Sequence, residues 1–200
     1  MAKVICLDLE LNQPSGKIIQ IGYVVADIAK DKILCKKSLI VDPMEPLGII
    51  SGLNVHISDY TGITQDRIDR EGISLRDAFQ IMLLDIIQFN PTKTCVQWGD
   101  GSGDNKGDHD HLRRELGLSW DEFVFRPRAW DVKSQFQIYR TFSNDSVVMG
   151  VGKALESLGM KFEGREHDAL NDAINTLRIF VELGDKAVKW ITKTTIPDPG

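Results

Sequence analysis

Residues 3–11, KVICLDLEL, form an almost continuously apolar run that carries two carboxylates two positions apart. No other stretch restricts so tightly what this chain can become. Side chains alternate along a strand, so Asp8 and Glu10 leave the same face. Two uncompensated carboxylates buried side by side cost several kcal/mol or take up protons. Hard divalent cations, which prefer oxygen ligands, remove that cost. Taken alone, the same pattern also fits a strand whose end has reached solvent.

Two further strand-like runs follow at 17–28 (KIIQIGYVVADI) and 32–41 (KILCKKSLIV), with a turn at 27–31. Three strands ahead of a series of helices predict an α/β fold with a mixed sheet, antiparallel at first and joined later by crossovers. Residues 43–73 read mostly as loop. Ser74 and Asp77 make a capping-box pattern, and Leu75, Ala78, Phe79, Met82, Leu83 and Ile86 recur at helical spacing until Asn90-Pro91. A short strand is expected at 94–98. The segment GDGSGDNKGDHD (99–110) is too polar and glycine-rich for regular structure, and a helix carrying Leu112 and Leu116 follows it to Gly117. A short turn at 119–122, a helix over 129–142 and a helix between Ser146 and Gly159 come next. The last helix starts near Asp168, with Leu170, Ala173, Ile174, Leu177 and Val181 on its apolar stripe. No repeat or linker is visible, so one domain over 1–200 is expected, with its core at 3–184 and a tail at 192–200.

With 42% hydrophobic and 26% charged residues, the composition excludes a disordered chain. No run approaches the roughly 18 apolar residues of a membrane span. The first strand holds an acid at its centre and lacks a small-residue cleavage site, unlike a secretory signal, so a cytoplasmic protein is expected. Cys6, Cys35 and Cys95 are odd in number and sit in apolar runs, which fits buried reduced thiols better than a disulfide or a zinc site. A net charge of −5 argues against a uniformly basic binding surface but leaves room for local basic tracks.

Two more acidic signals stand out. In HDALNDA (167–173), alanines flank Asp172 early in the last helix and would let that helix approach the sheet, bringing Asp172 towards Asp8. Five helical residues turn through about 140° beyond a full revolution, so His167 can share a pocket with Asp172 only by preceding the helix. From a mobile loop it could act when substrate is bound. The competing reading has His167 or Asp168 capping the helix and Asp172 on a solvated face. The other signal is the acidic loop, where Asp108 is preferred because Leu112, four residues on, would anchor its helical turn; Asp100, Asp104 and Asp110 remain rivals. A calcium loop counted from Asp100 fails, since Asn105 stands where glycine is required and His111 where glutamate is. His109 and His111 are read as exposed.

The order of these signals, D-x-E in the first strand, an acid opening a middle helix and H-x-x-x-x-D opening the last, resembles the DEDDh 3'-5' exonucleases. The match spans residues 4 to about 181. QIG (20–22), TGIT (61–64), Trp98-Gly99-Asp100 and GKALESLGM ahead of FEGREHDALNDA are most similar to the Eri-type and sporulation-inhibitor-like branch, which mainly trims RNA. The resemblance implies an RNase H-like, mixed five-stranded sheet flanked by helices. It implies 3'-5' removal of nucleotides from single-stranded nucleic acid, with RNA preferred over DNA. Asp8, Glu10, Asp108 and Asp172 would hold two Mg2+ or Mn2+ ions, His167 would be the general base, and Leu11 would meet the 3'-terminal nucleotide. Many members of the family pair as homodimers.

One departure is an eight-residue separation between Gly99 and Asp108, longer than in that branch, which leaves the third carboxylate open among Asp108, Asp110 and Asp100. From charge alone, Arg128 and Arg165, with Arg126 and Lys133, are candidate phosphate contacts, and Trp98, Phe125 or Trp130 could stack a base. A DNA-directed exonuclease and a catalytically silent metal- or nucleic-acid-binding module are the competing functions.

Overall fold

The computed structural model describes residues 3–99, 107–141 and 150–193. Strands β1 (Lys3–Leu11), β2 (Ile18–Asp27) and β3 (Lys32–Ile40) pair antiparallel in chain order. β2 is buried along its whole length, its mostly apolar run interrupted by the buried polar side chains Gln20 and Asp27. Helix α3 (Leu75–Phe89) begins at Ser74, whose Oγ accepts from the Asp77 N–H at 3.1 Å, and ends at Asn90 in the left-handed conformation. β6 (Val96–Gln97), β7 (Trp130–Asp131) and the first three strands make a five-stranded sheet in the order β3-β2-β1-β6-β7, in which β1, β6 and β7 run parallel. Helices α4 (Asp108–Glu115), α5 (Val132–Thr141), α6 (Val151–Ser157) and α7 (Ala169–Lys193) complete an RNase H-like α/β architecture.

The sheet has a core on each face. Ile5, Leu7 and Leu9 of β1 pack with Phe79 and Met82 of α3, whereas Val4 and Cys6 pack with Phe136 of α5 and Ala173 and Leu177 of α7. A smaller cluster of Ile19, Ile40, Leu47, Ile57, Ile63 and Ile68 lies beside the end of the sheet. All three cysteines are free, with Cys6 and Cys95 buried and Cys35 half-buried. No helix among the described residues is long and apolar enough to cross a membrane.

Four expectations need correction. Residues 43–73 are not mostly loop: they contain the two-stranded ribbon of β4 (Ile49–Ile50) and β5 (Val55–His56) and helices α1 (Ile57–Thr61) and α2 (Gln65–Glu71). These elements are too short to generate a hydrophobic period; buried Ile57 and Ile68 hold the two helices in place, and the ribbon strands pair with each other. The helix expected over 129–142 yields its first positions to β7, because Trp130 and Asp131 pair with Val96 and Gln97. The segment expected to be irregular at 99–110 is helical from Asp108. The helix assigned to follow Ser146 begins at Val151, while Ser146 itself lies outside the described residues. α7 reaches Lys193, and the remainder of the expected tail also lies outside them.

Candidate active site

β1 places Asp8 and Glu10 by parity. The even-numbered side chains Val4 and Cys6 face α7, so Asp8 and Glu10 continue along that face to where α7 begins. α7 can begin there because Gly22, the partner of Asp8 in the β1–β2 ladder, has no side chain. A Cβ at Gly22 would lie 2.0 Å from the carbonyl carbon of Ala169. Buried Gln20 fixes the same junction: its Oε1 accepts from the Ala169 N–H at 3.1 Å, and its Nε2 donates to Asp168 Oδ2 at 3.0 Å and Ser38 Oγ at 2.8 Å. Asp168 in turn accepts from the Asn171 N–H at 3.1 Å. Asp168 therefore caps the helix, as the competing reading of this segment expected, but Asp172, one turn on, reaches the pocket and not the solvated face that reading assigned to it.

His167 precedes α7 in the left-handed region, φ 61°. Its backbone N–H donates to Asp172 Oδ2 at 2.9 Å, and its ring stacks on Tyr60 of α1 with centroids 3.9 Å apart. Ligand atoms of Glu10, His167 and Asp172 all lie within 4.8 Å of one another. The imidazole expected on a mobile loop is thus already drawn into the carboxylate cluster.

Asp108 opens α4, which buried Leu112 anchors to the core. Gln97, at the end of β6, ties both stems of the preceding insertion: its Oε1 accepts from the His109 N–H at 3.2 Å and its Nε2 donates to the Gly99 carbonyl at 2.7 Å. Asp110 turns elsewhere, to Arg113 at 2.8 Å and Arg114 at 3.4 Å. Asp100 and Asp104 lie outside the described residues. The histidines expected to be exposed are not: His109 is fully buried beside Gln97, and half-buried His111 donates from Nε2 to the Gly16 carbonyl at 2.7 Å. Both are drawn in by the packing of α4.

The electrostatics tie the carboxylates together. Burial, then the charges of Asp108, Asp172 and Glu10, push Asp8 far above the ordinary carboxylate range. Burial with Asp172 and Asp108 pushes Glu10 up to about 8, against a partial offset from Arg165. Burial raises Asp108 to about 7, with His111 opposing and Asp172 adding. Asp172 is likewise raised to about 7 by burial, against the bond from the His167 N–H. Burial lowers His167, so the imidazole is neutral at pH 7. A set of acids this reluctant to ionise together is chemically suited to a divalent cation.

Leu11 borders a cleft of about 270 Å³ that Leu9, Glu10, Ile50, Leu53 and Ile57 also line. Arg128 is exposed. The guanidinium of Arg165 donates to the carbonyls of Asp59 and Tyr60 at 3.0 and 3.3 Å. Phe125 is buried in the core and Trp98 packs near Phe136, whereas Trp130 stacks on Phe180 and stays partly exposed. The sequence reading had no part for Tyr60 or Gln97. It noted Gln20 and Gly22 only as elements of a resemblance, although a buried amide beside a glycine in an apolar strand was a signal available to it.

No family model matches the chain. A probable 3'-5' exonuclease, KapD, from Bacillus subtilis is 24% identical over 98% of this chain and 91% of its own length. The match runs across almost the whole chain and accompanies a DEDDh pattern on converging elements. The chain is a 3'-5' exonuclease, similar to the DEDDh family. Rat 3'-5' exoribonuclease 1 is 27% identical over 66% of this exonuclease, which spans 38% of that protein. The nuclease domain of 3'hExo, a DEDDh family member solved with rAMP, shares the fold at a TM-score of 0.67 and 20% identity, covering 92% of each chain. Glu10, His167 and Asp172 make a candidate cluster for a divalent cation.

Proposed function

We propose that this exonuclease removes nucleotides from the 3' end of single-stranded nucleic acid, RNA in preference to DNA, with two Mg2+ or Mn2+ ions held by Asp8, Glu10, Asp108 and Asp172. The observation that carries this reading is the gathering of Glu10, Asp172 and His167 ligand atoms within 4.8 Å, in a pocket where Asp8 and Asp108 add to the charge. Bound ions would neutralise the carboxylates and stabilise charge developing on the phosphodiester being cut.

The chain's own residues account for the rest. His167 accepts a proton from the attacking water, a role favoured by its lowered pKa and commonly worth about 10²- to 10⁴-fold. The His167 N–H to Asp172 bond keeps the imidazole beside the reacting phosphate. Leu11 and its apolar neighbours receive the terminal base, and exposed Arg128 contacts the backbone of the strand. The preference for RNA is supported by the named activity of the rat relative and by the ribonucleotide bound to 3'hExo.

The test uses 5'-labelled RNA and DNA oligonucleotides with Mg2+ or Mn2+. A ladder shortening from the 3' end, faster on RNA and abolished by chelator, is expected. Faster cutting of DNA would reverse the sugar preference, and no ladder in either metal would overturn the reading in favour of a silent binding module.

A further inference from the structure

His167 lies in a short segment that two contacts fasten to α1. Tyr60 lays its ring on the imidazole at 3.9 Å with the planes 25° apart. Two residues before His167, Arg165 donates to the α1 carbonyls of Asp59 and Tyr60, groups that a helix end leaves without intrahelical partners. That guanidinium rests on Gly62, which has φ 75°, and a Cβ at Gly62 would lie 1.6 Å from Arg165 Nη1. Glycine suits that backbone conformation, and a side chain there would displace the guanidinium. α1 is in turn anchored by buried Ile57 and Thr61.

We propose that α1 and its Tyr60 ring form a clamp that holds the His167 imidazole in working position before substrate arrives, making Tyr60 a positioning residue for the proton transfer. The proposal rests on His167 acting as base in the reading above. A ring stacked on one face of the imidazole restricts rotation of the side chain while leaving its nitrogens at the rim, one of them within 4.8 Å of ligand atoms of Glu10 and Asp172. Preorganisation of this kind acts on the chemical step and not on substrate affinity. The competing role for Tyr60 is as part of the wall of the neighbouring cleft, which it also lines. The two roles separate in kinetics, because a wall residue acts through KM.

The test compares wild type, Tyr60→Phe and Tyr60→Leu on a 5'-labelled RNA oligonucleotide. Tyr60→Leu is expected to lower kcat about 3- to 10-fold with KM changed by less than about twofold, and Tyr60→Phe, which keeps the ring, to recover kcat relative to Tyr60→Leu. A raised KM at unchanged kcat, or no change in either, overturns the proposal. A second readout needs no activity. The chain has four histidines, and the ring protons of His167, identified by their absence from His167→Ala, should resonate upfield in wild type and Tyr60→Phe compared with Tyr60→Leu. His167 protons that do not move between these variants overturn the clamp. A wild-type protein that cuts neither RNA nor DNA would sink the proposed function, and the proton shifts would still decide whether the stack exists.

Discussion

Gly22 stands directly across the β1–β2 ladder from Asp8, and the space its missing side chain leaves is filled by the backbone of Ala169 at the start of α7. One unsubstituted position therefore sets how near Asp172 comes to Asp8. Gly22→Ala is expected to push α7 off the sheet, lower stability by about 1–3 kcal/mol and abolish cleavage. Urea denaturation and the oligonucleotide assay measure the two effects; a fully active, undisturbed variant would refute this account of the junction.

Asp108 and Asp110 differ by two positions and should behave as opposites. Asp108→Ala is expected to remove activity without loss of folded stability, because it relieves a crowded group. Asp110→Ala strips Arg113 and Arg114 of a buried partner, so it should cost about 1–3 kcal/mol in stability while sparing the chemistry. Asp104→Ala is expected to leave cleavage intact. Activity and thermal midpoints of the three variants check this, and inactivity of Asp110→Ala with retained Asp108→Ala activity would reassign the third carboxylate.

The carboxylate cluster should make the chelated protein sensitive to alkali. Glu10 titrates near 8 and Asp172 near 7 when folded, against ordinary values of 4.5 and 3.8. Between about pH 5 and 8 the folded state thus holds protons that the unfolded chain has released, and stability falls as pH rises. The melting temperature in chelator is expected to drop across that window, and Mg2+ or Mn2+ to restore it at pH 8. A midpoint independent of both pH and metal would contradict the cluster.

Asp85 should produce the reverse dependence. Burial opposes its ionisation, but bonds from Tyr23 Oη at 2.6 Å, Lys37 Nζ at 2.9 Å and Cys35 Sγ at 3.2 Å outweigh burial and hold its pKa below the ordinary range. Its stabilisation is present above the unfolded carboxylate's pKa and is lost as pH falls through the folded one. Asp85→Asn is expected to cost about 1–3 kcal/mol at pH 7, with a narrower gap to wild type at pH 3. Urea denaturation at both pH values measures it, and an equal gap at both would exclude the linkage.

What the sequence determined by itself is what depends on near neighbours along the chain. The parity that puts Asp8 and Glu10 on one face, the Ser74 cap of α3, the position of His167 ahead of α7 and the anchoring role of Leu112 all follow from local geometry. The tertiary structure decided what depends on distant partners. β7 is a strand only because Trp130 and Asp131 pair with β6, and α1 and α2 are too short to carry a period and form by burying Ile57 and Ile68 in one cluster, while β4 and β5 form by pairing with each other. Asp110 is taken up by two arginines, whereas Asp108 joins the carboxylates of Asp8 and Asp172. Tyr60 meets His167 across more than a hundred residues of chain, a contact that no periodicity encodes, because side-chain stacking depends on where two elements dock and not on how either one is written.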